Sequence, residues 1–284
     1  MKFNIIGAGR LGKTLAKRLV SEGHELNCIV NQSEKSTRAA KDFIGAGNIT
    51  TTYENITISD VTLTLITAPD DAIAKVSQDL VDAKKIPEKS IVLHCSGSLT
   101  SDDLSAHKAV PYYPVSAHLN RSFAHPKISY EQFKGTFCAI EGHSEAVLVM
   151  SELLTSIGAE VFHLDKNKKV RYHSSAVMAS NYLVALFDAS IKGYIEAGIA
   201  PSTAFKIVNS LMSGTLDNIM TTQSTQKALT GPIARADIET LKKHRDDLCN
   251  TSNHMLHNRL AHYTITELTQ HSDELKDRLH KTVD

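Results

Sequence analysis

Residues 1–20 read MKFNIIGAGRLGKTLAKRLV. The apolar run at 3–6 predicts a strand, and the spacing of apolar residues over 11–21 predicts an amphipathic helix. Between them lie Gly7, Gly9 and Gly12. A G-x-G-x-x-G that leaves a strand and opens a helix, inside the first βαβ unit, is the dinucleotide fingerprint. Gly7 permits the tight turn, Gly9 lets backbone approach a pyrophosphate, and Gly12 lets the helix pack on the strand. The first helical turn supplies N–H groups and partial positive charge, so Arg10 and Leu11 join the glycines as candidate phosphate contacts.

Further strands are predicted at 26–30, 61–67, 91–95, 135–140 and 160–163, and helices at 34–43, 71–81 and 144–157. Strands alternating with helices imply βαβ units and a mostly parallel, doubly wound sheet. The pattern changes after residue 165. Lys166-Asn167-Lys168-Lys169 reads as a charged linker, and helical patterns follow at 173–197, 202–220, 237–250 and 253–279. The 173–197 stretch is so apolar that burial on most sides is expected. The expected domains are a nucleotide-binding α/β domain at 1–165 and an all-helical domain at 166–284, the latter also serving dimerisation.

Composition narrows the function classes. The 284 residues are 42% hydrophobic and 22% charged, with 31 basic and 31 acidic residues. That is a globular chain with no basic excess for nucleic acid. No apolar run approaches a membrane span, and a strand beginning at Lys2 leaves no room for a signal peptide. Cys28, Cys95, Cys138 and Cys249 are widely spaced, which fits a reducing, cytoplasmic setting. No metal is expected. Cys95 reads as a small buried hydrophobe rather than a nucleophile.

The end of the second strand bears on which dinucleotide is bound. An NAD site places Asp or Glu about 20 residues past the glycines, on the ribose 2′-hydroxyl. This chain has Asn31, followed by Ser33, Lys35 and Arg38. These suit a 2′-phosphate and hence NADP, unless Lys35 and Arg38 form only a solvated helix face. Ala68 and Pro69, at a second strand end, would line the cofactor cleft. At a third, His94-Cys95-Ser96-Gly97-Ser98 offers Ser96 and Ser98 as contacts for a substrate carboxylate, with Ser96 also near the cofactor; loop formation and helix capping would use the same residues.

In the second half, His173, Ser180 and Asn181 are polar residues on an apolar helix, His173 and Asn181 lying about two turns apart on one face. A ligand cleft would explain them, as would a satisfied core histidine or a cap. The turn Thr230-Gly231-Pro232 leads to Arg235 and Asp237. Arg235 could fork onto a carboxylate or point into solvent, and Asp237 suits an N-cap.

The ordered signatures GAGRLG, HCSGS, YHSSAVMASNYLVAL and ALTGPIARAD resemble the 6-phosphogluconate dehydrogenase-like superfamily. That superfamily includes pyrroline-5-carboxylate reductase, 3-hydroxyisobutyrate dehydrogenase and ketopantoate reductase. The chain more closely resembles the bacterial family with a Rossmann-like domain followed by a domain of unknown function (the DUF2520 type), some of whose members look like an alternative ketopantoate reductase. The resemblance implies an NADPH-dependent homodimeric reductase of a small 2-oxo acid, foremost 2-dehydropantoate. A reductase of cyclic imines and a noncatalytic NADP-binding sensor are the alternatives. It also implies His173 as proton donor, where ketopantoate reductases carry Lys, and Asn181 as an orienting group. Val177 replaces an intermediate Asn, Tyr113-Pro114-Val115-Ser116 stands where the family often has His-Pro-Leu, and Arg235-Ala236-Asp237 stands for its Arg-Gly-Asp.

Overall fold

A computed structural model of the chain describes residues 1–104 and 110–284. These form two compact units, Met1–Ser180 and Asn181–Asp284.

The first unit is α/β. Its elements run β1 (Lys2–Ile6), α1 (Arg10–Ser21), β2 (Glu25–Val30), α2 (Glu34–Ile44), β3 (Asn48–Thr50), β4 (Leu63–Ile66), α3 (Asp70–Asp82) and β5 (Ile91–His94). Then follow β6 (Tyr113–Leu119), α4 (Pro126–Glu131), β7 (Thr136–Gly142), α5 (Ser144–Ser156), β8 (Ala159–His163) and the start of α6 (Lys169–Glu196). Among the described residues, eight strands join one sheet, ordered β3-β2-β1-β4-β5-β6-β7-β8. Every pairing is parallel except β6 with β7. Strand order reverses between β1 and β4, the switch point where such sheets bind ligands beyond their carboxyl ends. β4 and β5 are buried along their whole length, as strands covered on both faces must be.

Three predictions are corrected here. β3, β6 and α4 were not expected. The 166–169 run is no linker: residues 166–168 form a 3₁₀ turn, and Lys169 begins α6 with 1% of its surface exposed. Nor is α6 buried on most sides. Lys169 is its one buried residue, and Met178, Tyr182 and Val184 are each at least 60% exposed.

The second unit is helical, with α7 (Pro201–Thr222), α8 (Thr225–Ala228), α9 (Ile238–Leu248), α10 (His254–Tyr263) and α11 (Asp273–Val283). The predicted single helix at 253–279 is interrupted by a π turn at Thr264–Leu268. Leu241, Ala261, Ile265, Leu279 and Val283 form a small core. The 22 residues of α7 bury only Ala204 and Val208. Asp237 caps α9 by accepting from the Thr240 N–H and hydroxyl, at 3.1 and 2.8 Å. Just before it, Ala236 sits at φ +53°, a left-handed conformation that a β-carbon resists.

Relieving that conformation is a direct stability test. Ala236→Gly should stabilise the protein by about 1 kcal/mol, measured as a higher urea midpoint. An unchanged or lower midpoint contradicts the strain.

Candidate active site

The glycine loop folds as its sequence demands. Gly7 has φ +84°, and a β-carbon there would come within 2.8 Å of the Ala68 nitrogen. A β-carbon on Gly12 would overlap the Thr67 hydroxyl, which donates to the Gly7 carbonyl at 2.8 Å. Glycine is therefore required at both ends of the motif. Gly9 is the N-cap of α1 and provides no side-chain cap. The first-turn N–H groups are left for an anion, which the helix dipole favours.

Beside this loop lies a cleft of about 550 Å³, lined by Gly7, Gly9, Arg10, Leu11, Asn31, Gln32, Ser36, Thr51, Tyr53, Ala68 and Pro69, among others. Its size and donors suit a dinucleotide. Not every residue expected at the 2′-position reaches it. Ser33 caps α2, accepting from the Ser36 N–H. Arg38 lines a separate depression with Glu34, Thr50 and Asn55. Gln32, Ser36 and Tyr53 take their place, and Tyr53 was legible only to a reading that had found β3.

The Cys95–Ser101 loop is pinned from several sides. Ser96 Oγ and Ser98 Oγ both donate to Asp70 Oδ2, at 2.6 and 3.1 Å. Ser96 Oγ in turn accepts from the N–H groups of Ser98 and Leu99. In this arrangement both hydroxyls, expected at a substrate carboxylate, also tie the loop to an aspartate and to itself. His94 Nε2 donates to the Thr100 carbonyl at 2.9 Å, so its Nδ1 accepts from the Ser96 N–H at 3.2 Å. Glu141 accepts from the Ser101 N–H and hydroxyl, at 2.8 and 2.7 Å.

Two imidazoles converge on this loop. A β-carbon on Gly97 would overlap His173 Nδ1 and lie 3.0 Å from His118 Nε2. The two rings are 5.6 Å apart, edge to face. His118 Nδ1 is 2.9 Å from the Tyr172 hydroxyl. His173 Nδ1 is buried and has no hydrogen-bond partner among the described residues. Lys169, one turn earlier on α6, donates to Ser116 Oγ at 2.6 Å and to the Ser96 carbonyl at 3.1 Å. Its Nζ is 4.0 Å from Glu141.

The sequence reading found His173 and missed His118, Lys169 and Tyr172. The missing signals were spacings. Ser116 and His118 are two apart on a strand and share a face. Lys169, Tyr172 and His173 are at i, i+3 and i+4 on a helix and also share one. Burial pushes the Lys169 ammonium below the ordinary lysine value, and Glu141 opposes that shift. Burial lowers His94 to about 4. His118 is likewise lowered to about 4, by burial first and then by His173 and Lys169. Burial raises the Cys95 thiol to about 12, in keeping with an inert side chain.

The remaining expected residues are placed as follows. Ser180 Oγ donates to the Ala176 carbonyl of its own helix. Asn181 begins the second unit and is exposed. In that unit Thr230 and Arg235 are exposed on the turn before α9.

Residues 1–115 match the family described as a Rossmann-like domain, and residues 136–264 match the domain of unknown function DUF2520. No curated protein matches the chain. Among solved structures it is similar to a Bacteroides fragilis protein provisionally described as an NADP oxidoreductase. That pair is 20% identical, covers 99% of this chain and 98% of that one, and has a TM-score of 0.72. Protein TM1727 of Thermotoga maritima is 23% identical over 99% and 98%, with a TM-score of 0.69. A 1-pyrroline-5-carboxylate reductase of Streptococcus pyogenes is 16% identical over 100% and 97%, with a TM-score of 0.61. At these identities the likeness is one of fold.

The neutral buried imidazoles give a pH signature. Above pH 6.5 they are uncharged in the folded and unfolded chain alike. Below it the unfolded chain takes up protons that the folded one refuses until about pH 4. Stability should therefore fall between pH 6.5 and 4, by roughly 2–3 kcal/mol for His94. Urea unfolding at pH 7 and 4.5 measures the drop. His118→Gln should reduce it; a variant with the same drop removes His118 from the cause.

Proposed function

We infer, from a chain that joins a Rossmann-like domain to a DUF2520 domain, that this protein is an NADPH-dependent reductase of a small 2-oxo acid, with 2-dehydropantoate the first candidate substrate. One observation carries the reading: at the carboxyl edge of the sheet, two imidazoles meet over Gly97 on a loop tied to Asp70, the residue after the cleft-lining Pro69.

NADPH, when bound, would supply the hydride. The glycine loop and the first turn of α1 would hold its pyrophosphate. Asn31, Gln32 and Ser36 would face the ribose end, where Asn31 brings no charge to repel a 2′-phosphate, and Arg10 would add a cation. His173, as the imidazolium, would deliver its Nε2 proton to the developing alkoxide and be left as the neutral ring. Ser180 and Asn181, further along α6, would orient the carbonyl, and Ser96 and Ser98 remain the candidate contacts for the carboxylate.

A second reading has its own support. The fold is shared with a pyrroline-5-carboxylate reductase, and the Asp70 carboxylate would favour a cationic imine over a second anion. Following NADPH absorbance against a panel of 2-oxo acids and cyclic imines separates the two, and activity with neither leaves the noncatalytic sensor. We also infer a homodimer built through the helical unit. The exposed apolar side chains of α7, Phe205, Leu211, Leu216 and Met220, need a cover that a second copy would provide.

Three measurements test these statements. Calorimetric titration should show tighter binding of NADPH than of NADH, and Asn31→Asp should reverse the order; an NADH preference in the native protein overturns the cofactor. His173→Ala should lower turnover by roughly 10²–10⁴-fold at unchanged NADPH affinity and melting temperature. Lost stability with normal turnover would make His173 structural instead. Light scattering at micromolar concentration should report a dimer, and a monomer refutes the assembly.

A further inference from the structure

We propose that Lys169 is a positioning residue, a single Nζ that fixes the Ser96–Gly97–Ser98 loop against the two elements that carry His118 and His173. Three parts of the fold meet at that atom. Lys169 itself is on α6, one turn before His173. Its Nζ donates to Ser116 on β6, two residues before His118, and to the Ser96 carbonyl, one residue before Gly97.

Stability alone does not account for this lysine. A buried ion pair is about as stable as, or less stable than, well-packed apolar side chains of its size. Lys169 is 1% exposed and Glu141 7%, at a separation of 4.0 Å, which is an ion pair but not a hydrogen bond. The arrangement is explained by where it holds the loop. Gly97 has no room even for a methyl group beneath His173. A loop that drifts toward the imidazoles collides with them, and one that drifts away opens the gap between them. The other anchors of the loop, His94, Asp70 and Glu141, hold it to the sheet and to α3. Lys169 is the anchor that comes from the helix bearing His173.

The ammonium also adds a positive charge to the surroundings of His118. The titratable groups facing that ring are Tyr172, His173 and Lys169 on α6 and Asp70 at the start of α3; on β7 it is paired with Ala139.

This inference rests on the reading that His118 and His173 face the reacting centre, and the test separates the two. Lys169→Met alone leaves Glu141 buried without a cation and can fail to fold. The double variant Lys169→Met with Glu141→Gln removes both charges, and its amide oxygen can still accept from the Ser101 N–H. Nuclear magnetic resonance of the Gly97 amide and the histidine rings, in the NADPH-loaded protein, is the primary readout. The double variant should fold and bind NADPH with unchanged affinity. The Gly97, His118 and His173 signals should shift, and the His118 titration midpoint should rise from about 4 while staying below 6.5 because burial persists. With the substrate found by the panel, kcat should fall roughly 10²-fold with little change in KM. Native signals and an unmoved midpoint overturn the proposal. So does a double variant that does not fold, since Lys169 would then serve the fold itself. Shifted signals with normal turnover, in a protein whose His173→Ala variant is also fully active, would instead overturn the functional reading.

Discussion

An ammonium group buried inside an α/β unit constrains everything near it. Lys169 cannot leave its charge unanswered, because an unpaired ion in protein costs several kcal/mol. Its three hydrogens must find oxygens, and they find a strand hydroxyl, a loop carbonyl and, at longer range, a carboxylate. Each partner is then committed in turn. Glu141 is free to answer Lys169 only because it also receives two hydrogen bonds from Ser101. The Ser96 carbonyl can point inward only because its hydroxyl and N–H are held by Asp70 and His94. The polar interior is a closed set of obligations, and such networks specify one arrangement more sharply than apolar packing does.

That closure explains how a loop can be both glycine-containing and rigid. Gly97 brings freedom of backbone motion, and the residues on either side remove it. What remains is the space that glycine leaves, filled by the rings of His118 and His173. In the glycine-rich turn the same device recurs in simpler form. Gly12 makes room for Thr67, and Thr67 bonds Gly7, so the phosphate-binding turn is shaped by the strand beside it.

The nucleotide-binding half of this arrangement was legible in the chain because its signals are local. Three glycines, a strand before and a helix after need no distant partner to be recognised. Largely apolar runs such as Leu63–Ile66 and Ile91–His94 announced strands covered on both faces. β6 was hidden because Pro114 lies within it and removes a ladder donor, which normally argues against a central strand. Lys169 was hidden because four charged or amide residues in a row look solvated, and only the tertiary fold turns the last of them inward. Asp70 was hidden as the partner of Ser96 and Ser98 because it is far away in the chain. The helical unit was legible in outline and misread in burial: apolar periodicity reveals that a face wants cover but not whether the same chain supplies it. The break at Thr264–Leu268 was missed because apolar residues continue through the π turn without a Gly or Pro.

The sheet has a consequence for how such proteins can arise. Its strands β1 to β5 lie in the segment that matches the Rossmann-like family, whereas β7 and β8 lie in the segment that matches DUF2520. The physical unit ends later still, at Ser180, partway along α6. Exchange of the nucleotide-binding part alone would cut an eight-stranded sheet and take away Ser96 and Ser101, the partners of Lys169 and Glu141. The segments that match the two families are thus parts of one cooperative body at this seam, and neither half of the sheet is complete without the other.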